Sequence, residues 1–175
     1  MDRLSGIIGV RVLVNLIPVS AGVLAVFLAN VPISLFGGAL PAPLLALMPV
    51  YYWCLVRPDL MSPAWAFVIG VLQDILSGGP PGIWAGSFVA TYALIDRQRD
   101  AFAGLSGLGA VLGFATAALV ACSTAYLIVS FYYWRLPSLA PVMVEFALTV
   151  LYYAPAAMLL GLLHHHLVGP LRSEF

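Results

Sequence analysis

The sequence predicts an all-α fold: a polytopic membrane bundle of six transmembrane helices with both termini in the cytoplasm. Three observations carry that expectation. Of the residues, 63% are hydrophobic and 8% charged, with no lysine. Mean hydropathy is +1.06. The charges gather in short clusters between long apolar runs. A soluble domain must wet its outside, whereas a bundle in lipid need not. The 175 residues suffice for about six crossings of ~20 residues each, so the chain reads as a single transmembrane domain, 1–175.

The first run spans 12–31 and is broken by Pro32 and the Gly37-Gly38 pair. Its full spanning length favours a membrane helix over a cleaved leader. The second, 41–56, ends at Arg57-Pro58-Asp59. The third, 62–77, contains Asp74 and meets a hard turn, Gly78-Gly79-Pro80-Pro81-Gly82, which no helix passes through. The fourth, 82–95, ends in Asp96-Arg97-Gln98-Arg99-Asp100. The fifth, 104–131, precedes a loop with Arg135 and Pro137, and the sixth, 141–168, leads to a tail with Arg172 and Glu174. Runs three and four would make helices of only ~24 and ~21 Å, so two crossings and a re-entrant hairpin are both open.

Arginine sets the orientation. With six crossings and an inner N-terminus, Arg3, Arg11, Arg57, Arg97, Arg99 and Arg172 fall inside and only Arg135 outside, the known bias of short loops. Tyr51, Tyr52 and Trp53 on the inner side, and Tyr132, Tyr133 and Trp134 on the outer side, read as interfacial anchors.

Helices in lipid associate through small residues that let backbones approach. Gly109, Gly113, Ala117, Ala121 and Ala125 recur every four residues in run five, as do Gly82, Gly86 and Ala90 in run four. These ridges are expected to pack within the chain. Cys54 and Cys122 read as small packing residues. His164, His165 and His166 point in different directions around a helix and make a poor metal site. No nucleophile–base–acid set, metalloprotease motif or phosphate loop occurs, so neither a catalytic residue nor a cofactor nor a metal is expected. Zero net charge offers no face to nucleic acid.

Asp74 and Glu145 are the carboxylates in apolar runs, both near outer ends. Asp74 has two readings: a cap on the backbone N–H groups that open run four, or a polar contact for a partner or ligand.

Several of these residues form a recognisable pattern. Pro43 and Leu45 lead to Tyr52-Trp53 and then Pro58. Phe67, Gly70, Asp74 and Gly78 follow at spacings of three, four and four, and Pro81-Gly82 closes the set. This pattern, over about a quarter of the chain, resembles the MreD family of rod-shape-determining membrane proteins. The turn here is richer in proline than the family pattern. The resemblance implies a non-enzymatic part in bacterial cell-wall elongation at the inner membrane, beside a bitopic MreC-like protein, actin-like MreB and the cell-wall synthases, with membrane lipid around it. The positions it singles out are Pro58, Gly70, Asp74, Gly78, Pro81 and Gly82. It also implies a fold similar to the substrate-binding subunits of energy-coupling-factor vitamin transporters. A small-molecule binding subunit is therefore the alternative, for which the few intramembrane polar residues are thin lining.

Overall fold

The computed structural model describes residues 2–31, 41–105 and 107–168, and the side chains of 16–31, 41–102, 104–105 and 107–166. The break at Pro32 and Gly37-Gly38 and the tail with Arg172 and Glu174 lie outside the described residues. Of Arg3 and Arg11, which enter the expected orientation, only the helical backbone is described.

Seven α-helices account for the fold, and no strand occurs among the described residues: α1 Asp2–Ala29, α2 Leu47–Val56, α3 Pro63–Ser77, α4 Ile83–Arg97, α5 Arg99–Ala103, α6 Leu108–Tyr133 and α7 Leu139–Leu163. A π-helical turn, His164–Val168, extends α7. α6, and α7 continued to His166, are long and apolar enough to cross a membrane.

The element boundaries differ from the apolar runs in instructive ways. α1 starts well before residue 12, because a helix is continued by its backbone bonds whatever the hydropathy. The charged cluster after run four is divided: Asp96 and Arg97 end α4, and Arg99 and Asp100 open the short α5 that precedes α6. Run two differs most. Its helix begins only at Leu47 and has 10 residues, a length of about 15 Å. Pro41 and Pro43 lack N–H groups and fix φ, so the chain enters the bundle non-helically.

That entry is buried, so its backbone needs partners. Leu44 donates its N–H to Thr149 Oγ1 of α7 at 2.9 Å. The Thr149 hydroxyl in turn donates to the Glu145 carbonyl at 2.7 Å. Leu45 N–H closes a tight turn onto the Pro43 carbonyl at 2.8 Å. Irregular backbone buried in a protein is tolerated only where such partners satisfy it.

α2 is the core of the molecule. Leu47, Val50, Trp53 and Cys54 are fully buried, and Tyr51 is 1% exposed. The anchor reading of Tyr51 and Trp53 is therefore corrected: α2 sits inside a jacket of other helices, so its aromatic rings meet protein. The Tyr51 ring packs edge-on against Phe102 of α5, Phe114 of α6 and Tyr153 of α7, with centroids 6.2, 5.3 and 5.7 Å away. Phe114 and Tyr153 stack at 3.9 Å. Such rings add dispersion and quadrupole attraction to their burial. Tyr132, Tyr133 and Trp134 are exposed, as are Leu151, Met158 and Leu159 along α7. Cys54 and Cys122 are buried and free.

Contacts fix the directions of the helices. Trp53 and His164 bring the C-terminal ends of α2 and the α7 extension together, with ring centroids 5.6 Å apart. The Tyr92 hydroxyl of α4 donates to the Met61 carbonyl before α3 at 3.0 Å. At the opposite end Asn30 after α1 donates to Gln73 of α3 at 3.4 Å, and Gly86 of α4 lies under Ile128 of α6. Arg57 and Arg99 thus belong to one end, and Arg135, in the α6–α7 loop, to the other.

Candidate functional site: the α3–α4 hairpin

α3 opens with Ser62, whose hydroxyl accepts the Trp65 N–H, followed by Pro63 in the first helical turn. Proline suits that position because its missing N–H would have no intrahelical partner. The spacing of four then places Gly70 and Asp74 one above the other on a single face, and that face is turned to α4.

Gly70 is where the two backbones meet. A Cβ there would lie 2.5 Å from Ala85 Cα and 2.7 Å from the Trp84 carbonyl oxygen. Only glycine permits this approach.

One turn further, the Asp74 carboxylate closes the hairpin. Its Oδ2 accepts the N–H of Gly82 at 2.9 Å and of Ala85 at 3.2 Å, and its Oδ1 accepts the N–H of Trp84 at 2.8 Å. These are donors that the start of a helix leaves without intrahelical partners. Gly82 is the N-cap residue and has no side chain to offer them. A residue of the preceding helix therefore supplies the cap, and its negative charge sits at the positive end of the α4 dipole. Asp74 is 5% exposed, so this group is bonded within the fold.

The turn between them requires its glycines. Gly78 ends α3 at φ +67° and Gly82 precedes α4 at φ +95°, conformations costly for residues with a Cβ. Pro81 between them is exposed. Gly70, Asp74, Gly78, Pro81 and Gly82 are thus brought together in one hairpin.

Pro58 is not part of it. It lies at the far end of α3, half-buried between Arg57 and Asp59. Those two neighbours form an ion pair of 2.9 Å. Hydrogen bonds from the Arg57 guanidinium hold the Asp59 carboxyl below its ordinary value.

The small-residue ridges divide similarly. Gly113, Ala117, Ala121 and Ala125 lie buried on one face of α6. A Cβ on Gly86 would meet Ile128 Cδ1 at 3.0 Å, and one on Gly113 would meet Tyr51 Oη at 2.8 Å. The atoms nearest a Cβ on Gly109 belong to Leu105 of its own approach segment, at 3.3–3.9 Å. Among the described residues no cluster of His, Cys, Asp and Glu is suited to a metal ion.

Two contacts escaped sequence reasoning. A Cβ on Gly22 of α1 would meet Ile69 Cδ1 of α3 at 2.5 Å, and Thr149 holds the buried entry to α2. An isolated glycine or threonine in an apolar run carries no spacing signal that would have singled it out.

Compared with known protein families, curated proteins and solved structures, the chain matches none.

Proposed function

We propose that this chain is a non-enzymatic, multi-pass component of the bacterial inner membrane. In this reading it belongs to the cell-wall elongation complex and binds an MreC-like bitopic partner. MreB and the cell-wall synthases join the same assembly directly or through that partner. One observation carries the reading. Gly70, Asp74, Gly78 and Gly82, the spaced positions of the resemblance, serve one physical purpose: they clamp two helices and shape the turn between them. A motif whose members build a single device is stronger support than the same letters scattered.

The membrane setting is supported by two long apolar helices and by apolar side chains exposed along α7. Six crossings with inner termini place Arg57 and Arg99 in the cytoplasm and the α3–α4 turn outside, in keeping with the arginine bias. The partner's membrane helix then lies against the bundle. Its juxtamembrane segment meets the exposed Gly78–Gly82 turn and the Arg135 loop. Asp74 contributes by fixing the shape of that turn.

The test is affinity purification from the native membrane, with photo-crosslinkers at Pro81 and Leu151. An MreC-like bitopic protein captured at either position is the expected result. Recovery of the chain without any bitopic partner would overturn the assignment.

A further inference from the structure

We propose that a cavity between α2, α6 and α7 binds a neutral, hydrogen-bonding group on an apolar stem, namely the glycerol-ester region of a membrane lipid. The cavity has a volume of about 250 Å³, and its lining includes Tyr51, Tyr52, Tyr153, Phe102, Leu105 and Ala110. Tyr51 and Tyr153 are 1% and 4% exposed, with their rings locked in the aromatic cluster. A buried tyrosine hydroxyl ordinarily finds a partner. Tyr92 and Tyr126 do so, donating to the Met61 and Pro137 carbonyls. Among the described residues the hydroxyls of Tyr51, Tyr52 and Tyr153 have none. The sealed unpaired polar atoms are elsewhere, on Trp53, Arg99 and His164. The three phenols instead border the open volume.

The lining selects the ligand. It contains no charged side chain, so a phosphate or an ammonium would enter without compensation. Phenol hydroxyls suit ester carbonyls and alcohols, which need donors but bring no charge. The volume falls just below that of whole small-molecule sites, about 300–1,000 Å³, so the cavity takes the polar segment of a larger amphiphile whose chains extend outward. Val56 and Leu105 mark its level, beside the Arg57–Asp59 pair that closes α2. On the membrane reading, which this inference shares, that is the depth of lipid esters. Gly113 gives three of the lining side chains their room, because a Cβ there would press on Tyr51 Oη, Leu105 and Phe102 at 2.8, 2.9 and 3.0 Å.

The experiment uses the full chain in nanodiscs of dialkyl-ether phosphatidylcholine, which has no ester carbonyl, with a trace of diacylglycerol carrying a diazirine beside its ester. Irradiation and peptide mapping are expected to place the label around Tyr51 and Ala110. The Tyr51→Phe, Tyr153→Phe double variant keeps the ring shapes and is expected to lower that labelling about tenfold or more, with the melting temperature confirming that it folds. Ala110→Phe fills the cavity and should abolish labelling there. Competition by diolein but not by water-soluble diacetin assigns a lipid source, whereas equal competition by diacetin overturns that source. Label spread over α7 and insensitive to the tyrosine variants overturns the site. No partner protein is present, so this result is independent of whether a bitopic partner is ever captured.

Discussion

Asp74 and Ala85 are joined across the hairpin at the point where α3 and α4 come closest. The Asp74 Oδ2 accepts the Ala85 N–H at 3.2 Å, and Ala85 Cα lies within 2.5 Å of where a Cβ on Gly70 would stand. One residue of α4 is therefore gripped by two successive turns of α3. The absence of a side chain makes room for the contact, and a carboxylate fixes its register. Neither half works alone: without the close approach the carboxylate would not reach three N–H groups, and without the cap the start of α4 would hold unpaired donors in an apolar setting.

Removing that carboxylate should be costly. Asp74→Ala leaves three backbone donors without an acceptor, and hydrogen bonds to charged groups contribute about 1.5–3 kcal/mol each, not additively. A loss on the order of 3 kcal/mol is expected, with Asp74→Asn intermediate because its amide retains one acceptor oxygen. Thermal unfolding of the purified chain in mild detergent reads this directly. Parental melting of both variants would remove Asp74 from its capping role.

Two glycine substitutions separate backbone from side-chain contact. Gly70→Ala drives a methyl into the backbone of Ala85, which cannot yield without parting the helices, and should cost roughly 1–3 kcal/mol or more. Gly86→Ala meets only the tip of Ile128 at 3.0 Å. That side chain can rotate, so a change under about 1 kcal/mol is expected, partly offset by alanine's better helix propensity. Equal melting temperatures for the two variants would contradict the assignment of Gly70 as the point of closest approach.

Thr149 offers a test of the buried entry to α2. Thr149→Val preserves shape but leaves the Leu44 N–H without its acceptor, a loss of about 1–3 kcal/mol. Thr149→Ser keeps the oxygen and should recover most of it. Amide exchange at Leu44 is expected to accelerate in the valine variant only.

The Arg57–Asp59 pair makes a small pH-dependent contribution. The Asp59 carboxyl is depressed in the folded state, chiefly by hydrogen bonds from Arg57. Its stabilisation is therefore present above the unfolded value of about 3.9 and is lost as pH falls through the lower folded value. The Asp59 side chain is 51% exposed, so solvent screening keeps the effect to roughly 0.2–1 kcal/mol. Asp59→Asn should flatten that part of the acid limb of a stability–pH curve.

The hairpin was largely legible in the sequence. Glycine and aspartate four apart, followed by a turn that only glycines and prolines would form, already placed a carboxylate near the start of the next helix. Capping was one of two readings for Asp74, and its bonds are local enough, eight to eleven residues along the chain, for spacing to suggest them. Tyr51 and Trp53 were misread because an aromatic residue at the end of an apolar run has the same composition whether it faces headgroups or a protein core. The seven-helix count escaped for a related reason, since the polar cluster holding α5 looked like loop.

What the sequence alone determined is the helical class, the hard turn between α3 and α4, and the separation of Arg57 and Arg99 from Arg135. Those properties follow from local composition: apolar runs seek burial, glycine and proline break helices, and charge stays near water. Only the tertiary structure decided that α2 is a half-length helix at the centre, that Thr149 holds Leu44 across 105 residues of chain, and that three tyrosines line one cavity. Such pairings depend on how side chains of distant segments interlock, and close packing is a property of the assembled bundle that no single run of residues encodes.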